Sequence, residues 1–372
     1  MEYPLTASQM VFYPKGLPGE ETMWNQGIAP IFRRKYSYDQ LNHAFNRLIE
    51  SHEELRLQIC QQDGRPTAYI AEFQPVQYPL FSFSSREEVI QNAYAFMNQP
   101  IPISGPLFRC AIFQTESSSG LLLASHHMII DGFSGHILNS FINDCLRGES
   151  PDLELIQPYS EHFRQTQDYL LSPRYAQAKE YWRKRLSEPF PVSPFLSVSS
   201  VMSRAAEIVL DFPDELFDRI VGFCHNQRVT VTAFFSAVIG TYIQREFHCS
   251  NFIMGVPVLN RDTPCEMHTA GLYMNILPLT VDVSAESFLA CAKKIDAGKM
   301  RLLRHRKFTQ FDIQQVIEEL GLPPAKLFDI VFNYQAFPEN EDYEFAIQHG
   351  NTLSTTMEIH FNTMGPKPIS CE

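Results

Sequence analysis

Apolar residues recur at helical spacing in the early part of the chain. After Tyr38 they stand three or four positions apart, which places them on one face of a helix. These positions are Leu41, Phe45, Leu48 and Ile49. The same spacing predicts a second helix after Gly132. Its apolar face carries Ile137, Leu138, Phe141, Ile142 and Cys145. Both patterns indicate helices that pack one face against a core.

Alternation and short apolar runs predict strands between these helices. Residues 55–59 alternate apolar and polar positions, and the turn at 62–65 leads to the strand-like run 68–70, so we expect a hairpin. The runs 107–113 and 120–126 predict two further strands, separated by a tip rich in serine and glycine. The second of these runs is mostly apolar, which favours a buried strand.

A segment without apolar periodicity, 187–204, divides the chain. It is rich in proline and serine, and it predicts a crossing between an N-terminal lobe at 1–186 and a C-terminal lobe at 205–372. The elements predicted in the second lobe are a helix at 230–247 and strands at 252–258 and 274–283. The alternation of helices and strands in both parts predicts an α/β fold class with two lobes.

Composition and charge argue against several classes of function. The 372 residues are 44% hydrophobic, which suffices for a substantial core. A net charge of −12 argues against partners such as nucleic acid or an anionic membrane. No apolar run approaches the ~20 residues of a membrane helix, and the N-terminus lacks a signal-peptide pattern, so we expect a soluble, cytoplasmic protein. The eight cysteines form no C-x-x-C pair and are expected to be reduced and mainly structural.

The segment 125–132 carries the candidate chemistry. His126 and His127 stand near the end of a predicted buried strand, where adjacent side chains face opposite ways, so one can enter a cleft while the other packs behind it. Transfer of an acyl group from a thioester needs a proton acceptor and donors for the developing oxyanion. His127 would be the acceptor, and backbone N–H groups near Gly132 would be the donors. Asp131 is expected to orient the structure.

Two other interpretations fit this segment less well. A metal site needs ligands that converge, whereas neighbouring strand histidines diverge, and no third His, Cys or Asp element stands at zinc-like spacing, so no metal is expected. The other interpretation is a pair of core histidines without chemistry. The rarity of His-His-x-x-x-Asp-Gly argues against it for the motif as a whole. For His126 alone, the structural role is favoured.

The motif resembles the HHxxxDG signature of condensation domains of nonribosomal peptide synthetases. Other stretches resemble further motifs of this family in the expected order, and together they cover nearly the whole chain. They are residues 3–9, 51–56, 159–163, 255–261, 270–279, 305–308 and 327–335. The resemblance implies two chloramphenicol acetyltransferase-like lobes in a V shape, with an active-site tunnel between them.

The resemblance also implies roles for individual residues. His127 would be catalytic or would position the substrate. Asp131 would pair with Arg261 and tie the two lobes together, a task that suits the planar fork of a guanidinium. The supporting residues would be His126, Asp131, Gly132 and Arg261, with Asn333 as a candidate contact for the acceptor. A local backbone bond is the alternative role of Asn333.

The activity implied is amide-bond formation, in which an acyl or peptidyl group passes from a thioester to the amine of a carrier-bound aminoacyl thioester. The domain would have no cofactor of its own, because its substrates arrive on the phosphopantetheine of carrier proteins or on CoA. Its partners would be peptidyl or acyl carrier domains, an adjacent adenylation domain and an acyl-CoA or acyl carrier donor. The run 303–308 and the Leu-Pro-Leu at 277–279 resemble starter domains that N-acylate the first amino acid of a lipopeptide.

Two alternatives remain beside this interpretation. One is a free-standing acyltransferase that makes esters or amides from acyl-CoA, and the other is a non-catalytic domain that binds carrier proteins. The start at Met1 favours condensation over epimerisation. The chain also ends earlier than is usual in the family, so the last strand and helix of the second lobe are expected to be missing.

Overall fold

The computed structural model describes most of the chain. The described residues are 1–14, 20–188, 195, 208, 210–285, 287–322, 326–337, 343–350 and 355–364. They form two compact units. Unit 1 takes in the described residues within Met1–Leu171, Leu259–Met274 and Glu339–Thr352. Unit 2 takes in those within Ser172–Val258, Asn275–Pro338 and Leu353–Glu372.

The two units are not successive halves of the chain. Leu259–Met274, which the sequence places in the C-terminal lobe, belongs to unit 1. The expected crossing at 187–204 lies outside the described residues, apart from Ser187, Glu188 and Phe195. The chain therefore contributes separate segments to each unit.

Helices and strands alternate along the chain. The strands are β1 (Glu2–Pro4), β2 (Asn25–Phe32), β3 (Leu57–Gln62), β4 (Arg65–Ile70), β5 (Leu80–Ser82), β6 (Phe108–Gln114), β7 (Ser119–His126), β8 (Asn251–Val258), β9 (Asn275–Asp282), β10 (Ile330–Phe337), β11 (Tyr343–Gly350) and β12 (Met357–Met364). The helices are α1 (Ala7–Phe12), α2 (Glu20–Met23), α3 (Tyr38–Ser51), α4 (Arg86–Met97), α5 (Gly132–Arg147), α6 (Tyr159–Leu170), α7 (Pro173–Ser187), α8 (Asp214–Gln227), α9 (Val231–Phe247), α10 (Pro264–His268), α11 (Phe288–Leu303) and α12 (Gln310–Glu319). The predicted α/β class is confirmed.

Unit 1 contains two sheets. The larger has the strand order β11-β2-β7-β6-β5, and the smaller has the order β1-β4-β3. Strand β7 pairs antiparallel with β2 on one side and with β6 on the other, and all eight of its residues are buried. A strand in this central position is buried on both faces, which explains its nearly continuous apolar sequence.

Unit 2 is built on one four-stranded sheet among its described residues. The order is β12-β10-β8-β9, in which β10 runs parallel to both β8 and β12, and β9 runs antiparallel to β8. Helices α9 and α11 pack against each other and against β9. Their buried faces join the strands in a separate apolar core.

Most predicted elements are confirmed, with shifts at their ends. The helix after Tyr38 is α3, and a capping box between Ser37 and Gln40 begins it. The strand expected at 55–59 begins only at Leu57, because Glu53–Arg56 forms a 3₁₀ turn. No helix among the described residues is long and apolar enough to cross a membrane.

Candidate active site

The end of strand β7 brings the two motif histidines to the edge of the larger sheet of unit 1. His126 is the last residue of the strand, and its N–H donates to the carbonyl of Leu107, just before β6, at 2.8 Å. The N–H of His127 donates in the opposite direction, to the carbonyl of Trp24 just before β2, also at 2.8 Å. These two bonds hold the backbone between both neighbouring strands where the turn begins.

His126 is a structural residue of this turn. Its side chain is buried, and its Nδ1 accepts the N–H of Met128 at 3.2 Å. Burial, together with the nearby His127, lowers the pKa of His126 to about 4. The ring is therefore neutral at physiological pH and carries its proton on Nε2, because Nδ1 is the acceptor.

His127 differs from its neighbours in burial. It is partly exposed, whereas His126 and Met128 on either side are buried. Its imidazole stacks on the ring of Phe12, with 4.4 Å between the ring centroids and 11° between the planes. Of the two motif histidines it is the less buried residue, although its Nδ1 is itself buried.

Gln9, near the N-terminus, contacts the loop that follows His127. The side-chain amide of Gln9 donates to the carbonyl of Met128 at 3.4 Å. The side-chain Oε1 of Gln9 accepts from the backbone N–H of Thr6 at 3.0 Å and from the hydroxyl of Tyr159 at 3.2 Å. All three side chains are buried, so Gln9 connects helix α1, helix α6 and the motif loop.

Asp131 caps helix α5 and accepts several further hydrogen bonds. Its Oδ1 accepts from the N–H of Ser134 at 2.9 Å and from its hydroxyl at 2.8 Å. Its Oδ2 accepts from the N–H groups of Tyr273 at 3.0 Å and Met274 at 3.1 Å. Arg261 Nη2 lies 3.1 Å from Oδ1 and 3.3 Å from Oδ2. The carboxylate is therefore surrounded by donors.

These donors decide the charge of Asp131. Burial by itself raises the pKa of this carboxyl, but the Arg261 guanidinium and the hydrogen bonds from Ser134 and Tyr273 outweigh burial, so the pKa is lowered. Asp131 stays ionised, and its oxygens are occupied by the capping and ion-pair contacts. It is therefore unsuited to accept a proton from a substrate.

Arg261 lies in the same unit as Asp131. Their side chains are 0% and 1% exposed, and the guanidinium also donates through Nη1 to the carbonyls of Glu266 and Thr269. The ring of Tyr273 lies 4.1 Å from the guanidinium carbon. The loop that carries Arg261 belongs with Asp131 to unit 1, and the tie between two lobes stays a prediction.

The two remaining candidate residues, Gly132 and Asn333, lie in different units. Gly132 is the first residue of helix α5 and is partly exposed. The first N–H groups of a helix have no acceptor within it, and the helix dipole makes this end favourable for negative charge. Asn333 lies on β10 of unit 2, where its amide Nδ2 is 3.4 Å from Nδ1 of His360 on the neighbouring strand.

Several residues of the site were not singled out from the sequence. Phe12 and Trp24 contact His127, Gln9 contacts the loop, and Ser134 bonds Asp131. The opening stretch at 3–9 resembles a family motif and includes Gln9, but nothing in its pattern relates it to residue 128. Among the described residues, no group of three or more His, Cys, Asp or Glu side chains is placed to hold a metal ion.

The family follows from a match along nearly the entire chain. The family model described as Condensation domain matches residues 1–364. This chain belongs to the condensation domain family. Condensation domains catalyse amide-bond formation, an acyltransferase reaction. The sequence-based identification of the family and of an acyltransferase is confirmed.

The related sequences are much longer proteins. Surfactin synthase subunit 1 of Bacillus subtilis (strain 168) is 25% identical over 92% of this chain and 10% of its own length. Gramicidin S synthase 2 of Aneurinibacillus migulanus is 23% identical over 92% of this chain and 8% of its own length. The condensation domain therefore spans a small part of each of these relatives.

Solved structures of condensation domains share the fold. The condensation domain of the Monacolin K polyketide synthase MokA is 17% identical, with a TM-score of 0.80 over 97% of this chain and 89% of that one. A mutant starter condensation domain of rhizomide synthetase RzmA, in complex with C8-CoA and Leu-SNAC, is 18% identical with a TM-score of 0.78. The match covers 97% of this chain and 86% of the RzmA chain. The predicted chloramphenicol acetyltransferase-like fold is confirmed.

Proposed function

We propose that this condensation domain transfers an acyl or peptidyl group from a thioester to the amine of a carrier-bound aminoacyl thioester, assisted by His127. One observation carries the proposal. Of the three ionisable groups in the motif, His126 is buried and neutral, Asp131 is buried and ion-paired, and His127 is partly exposed. Proton transfer in such a reaction needs a side chain that the substrate can reach, and His127 is the least buried of the three.

The proposed reaction follows from the chemistry of a thioester. The amine nitrogen attacks the thioester carbonyl carbon, a C–N bond forms, and the carbonyl oxygen takes negative charge in a tetrahedral intermediate. His127 accepts the proton that the amine loses and returns it to the sulfur as the C–S bond breaks, which releases a thiol. N–H groups at the start of α5, beside Gly132, support the oxyanion in this proposal.

We also propose how the donor and the acceptor are carried. The substrates would be held on the phosphopantetheine of carrier domains or on CoA, with an adenylation domain loading the acceptor, and the protein would need no cofactor of its own. Resemblance to lipopeptide starter domains supports an acyl-CoA donor, as does the fold shared with the rhizomide starter domain. In this form the domain would N-acylate the first amino acid of a lipopeptide.

His127→Ala tests the proposal. We expect the rate of amide formation to fall at least about 100-fold, because the general base is removed. The assay supplies octanoyl-CoA or octanoyl carrier protein as donors and aminoacyl carrier proteins or aminoacyl-SNAC as acceptors. Amide product is measured by mass spectrometry. His43→Ala, which removes an exposed histidine on α3, is the matched control and should retain the full rate.

Three outcomes contradict the proposal. Full transfer by His127→Ala would exclude the assigned role of that residue. Ester formation on a free alcohol, with no response to carrier proteins, would favour a free-standing acyltransferase. Binding of loaded carriers without transfer by the wild-type protein would favour a non-catalytic carrier-binding domain.

A further inference from the structure

Phe12 contacts the imidazole of His127 face to face. The ring centroids are 4.4 Å apart, and the planes differ by only 11°. Phe12 is the last residue of α1, and its side chain is 7% exposed, so it is held in the core of unit 1. The stack therefore joins a buried ring to a partly exposed one.

Trp24 holds both members of the stack. Its indole meets the ring of Phe12 edge to face, with 5.0 Å between centroids and 87° between planes. Its backbone carbonyl accepts the N–H of His127 at 2.8 Å. One residue thus orients the Phe12 ring and the His127 backbone, so the two cannot shift independently.

This arrangement restricts the imidazole. The outer torsion of a histidine side chain is broad, and a histidine on a turn at the surface would otherwise sample a range of ring orientations. Because the Phe12 ring covers one face of the imidazole, it excludes orientations in which the edge of the imidazole would point into the phenyl ring. The lone pair and the N–H of the His127 ring then point parallel to the Phe12 ring and not toward it.

The phenyl face also affects the charge of the imidazole. An aromatic face carries negative electrostatic potential, which attracts a cation placed over it. Such a contact favours the charged form of an imidazole over the neutral form. Phe12 should therefore favour the imidazolium that forms when His127 accepts a proton.

We propose that Phe12, braced by Trp24, is a positioning residue that holds the His127 imidazole in the orientation needed for proton transfer. The proposal rests on the proposed function of His127. It assigns to the end of α1 a role in the reaction. An aliphatic side chain of similar size would fill the same space but would neither hold the ring plane nor present a π face.

The test compares Phe12→Leu with Phe12→Tyr. We expect Phe12→Leu to lower kcat about tenfold with KM for both substrates within about twofold, whereas Phe12→Tyr keeps kcat close to wild type. The pH profile of kcat/KM should shift to lower pH in Phe12→Leu. Phe81→Leu, which makes the same change at an exposed position on β5, should change none of these values.

NMR of the histidine rings gives a readout that does not depend on turnover. The ring protons of His127, assigned by their loss in His127→Ala, should lie upfield in the wild type because they are near the Phe12 face. They should move downfield in Phe12→Leu and stay upfield in Phe12→Tyr. If Phe12→Leu has a lowered Tm, Phe12→Met, which is closer in shape, replaces it in both experiments.

Different results would overturn the two proposals. Unchanged kcat in a folded Phe12→Leu, equal losses in Phe12→Leu and Phe12→Tyr, or unmoved His127 resonances would each exclude the positioning role of Phe12. Full transfer by His127→Ala would instead exclude the proposed function. The NMR comparison would still show whether Phe12 orients the ring.

Discussion

At the scale of single residues, Asp131 connects more of the site than any motif histidine does. One carboxylate caps α5 through Ser134, accepts two backbone N–H groups from residues 273 and 274, and pairs with Arg261. A buried charge is tolerated only when such partners replace its hydration. The carboxylate therefore holds the start of α5, and with it Gly132, at the end of the histidine turn.

Asp131→Asn should destabilise the protein by about 3–5 kcal/mol. The substitution preserves shape but leaves the Arg261 charge buried without a counter-ion, and it turns an amide toward N–H donors. The measurement is the free energy of unfolding in urea at pH 7. Glu319→Gln, which removes an exposed partner of Lys179 and Arg183, should produce no measurable change. A loss for Asp131→Asn no larger than that of the control would contradict this account of the ion pair.

At the scale of elements, the site is a strand, a turn and a helix in succession. Strand β7 is buried throughout, the turn is held by bonds toward two neighbouring strands, and α5 begins with a capping box. The strand approaches its neighbours closely at Gly120. A Cβ there would lie 2.2 Å from the carbonyl oxygen of Pro30 and 2.4 Å from the ring of Phe113.

Gly120→Ala should therefore destabilise unit 1. Backbone and a packed ring leave no room for the methyl group, so β7 must shift, and overpacking of this kind costs about 1–3 kcal/mol. Urea unfolding measures the loss. Gly105→Ala is the matched control, because the nearest atom to its added Cβ, the carbonyl oxygen of Pro102, is 4.0 Å away. Equal stability of the two variants would show that β7 adapts without strain.

At the scale of the whole molecule, three buried titratable groups with large pKa shifts contribute to the dependence of stability on pH. Burial lowers the pKa of His52 to about 3, and burial with the nearby His127 lowers that of His126 to about 4. Burial raises the pKa of Glu54 to about 8. Neither carboxyl oxygen of Glu54 has a hydrogen-bond partner on another residue within the described part of the chain.

These shifts act in opposite directions. Below pH 6.5 the unfolded chain protonates His52 and His126 while the folded protein keeps them neutral, so stability falls as pH decreases. Above pH 4.5 the unfolded chain ionises Glu54 while the folded protein keeps it protonated up to about pH 8, so stability falls as pH increases. Each group contributes at most about 1.4 kcal/mol per pH unit. Between pH 4.5 and pH 6.5 the stability gained from the two histidines as pH rises exceeds the stability lost from Glu54. Above pH 6.5 the loss from Glu54 exceeds the remaining gain, so stability should be greatest near pH 6.5.

Glu54→Gln isolates the alkaline side of this curve. The wild type should lose about 1 kcal/mol of unfolding free energy between pH 6.5 and pH 8, since the loss from Glu54 exceeds the remaining gain from the two histidines. Glu54→Gln should lose none, because an amide does not titrate. Urea unfolding at pH 5, 6.5 and 8 gives the comparison. Glu50→Gln, which changes an exposed residue of α3, should behave as wild type. A wild-type protein as stable at pH 8 as at pH 6.5 would show that Glu54 is ionised in the folded state.

The sequence by itself determined the elements and the family of this protein. Helix α3 and strand β7 were predictable because each rests on local periodicity, and the ordered motifs identified a condensation domain. Local pattern failed at 55–56, where the predicted strand is replaced by the end of the 3₁₀ turn Glu53–Arg56, which buries Glu54. A charged residue gives no local sign that it will be buried.

Only the tertiary structure decided how the site is assembled. It distinguished His126 from His127 by burial, placed Arg261 within unit 1, and brought Phe12 onto the imidazole. These contacts join residues more than 100 positions apart, except within the motif itself. Such pairs form because separate elements bury their apolar faces in one core, and this packing sets distances and partners that no local periodicity encodes.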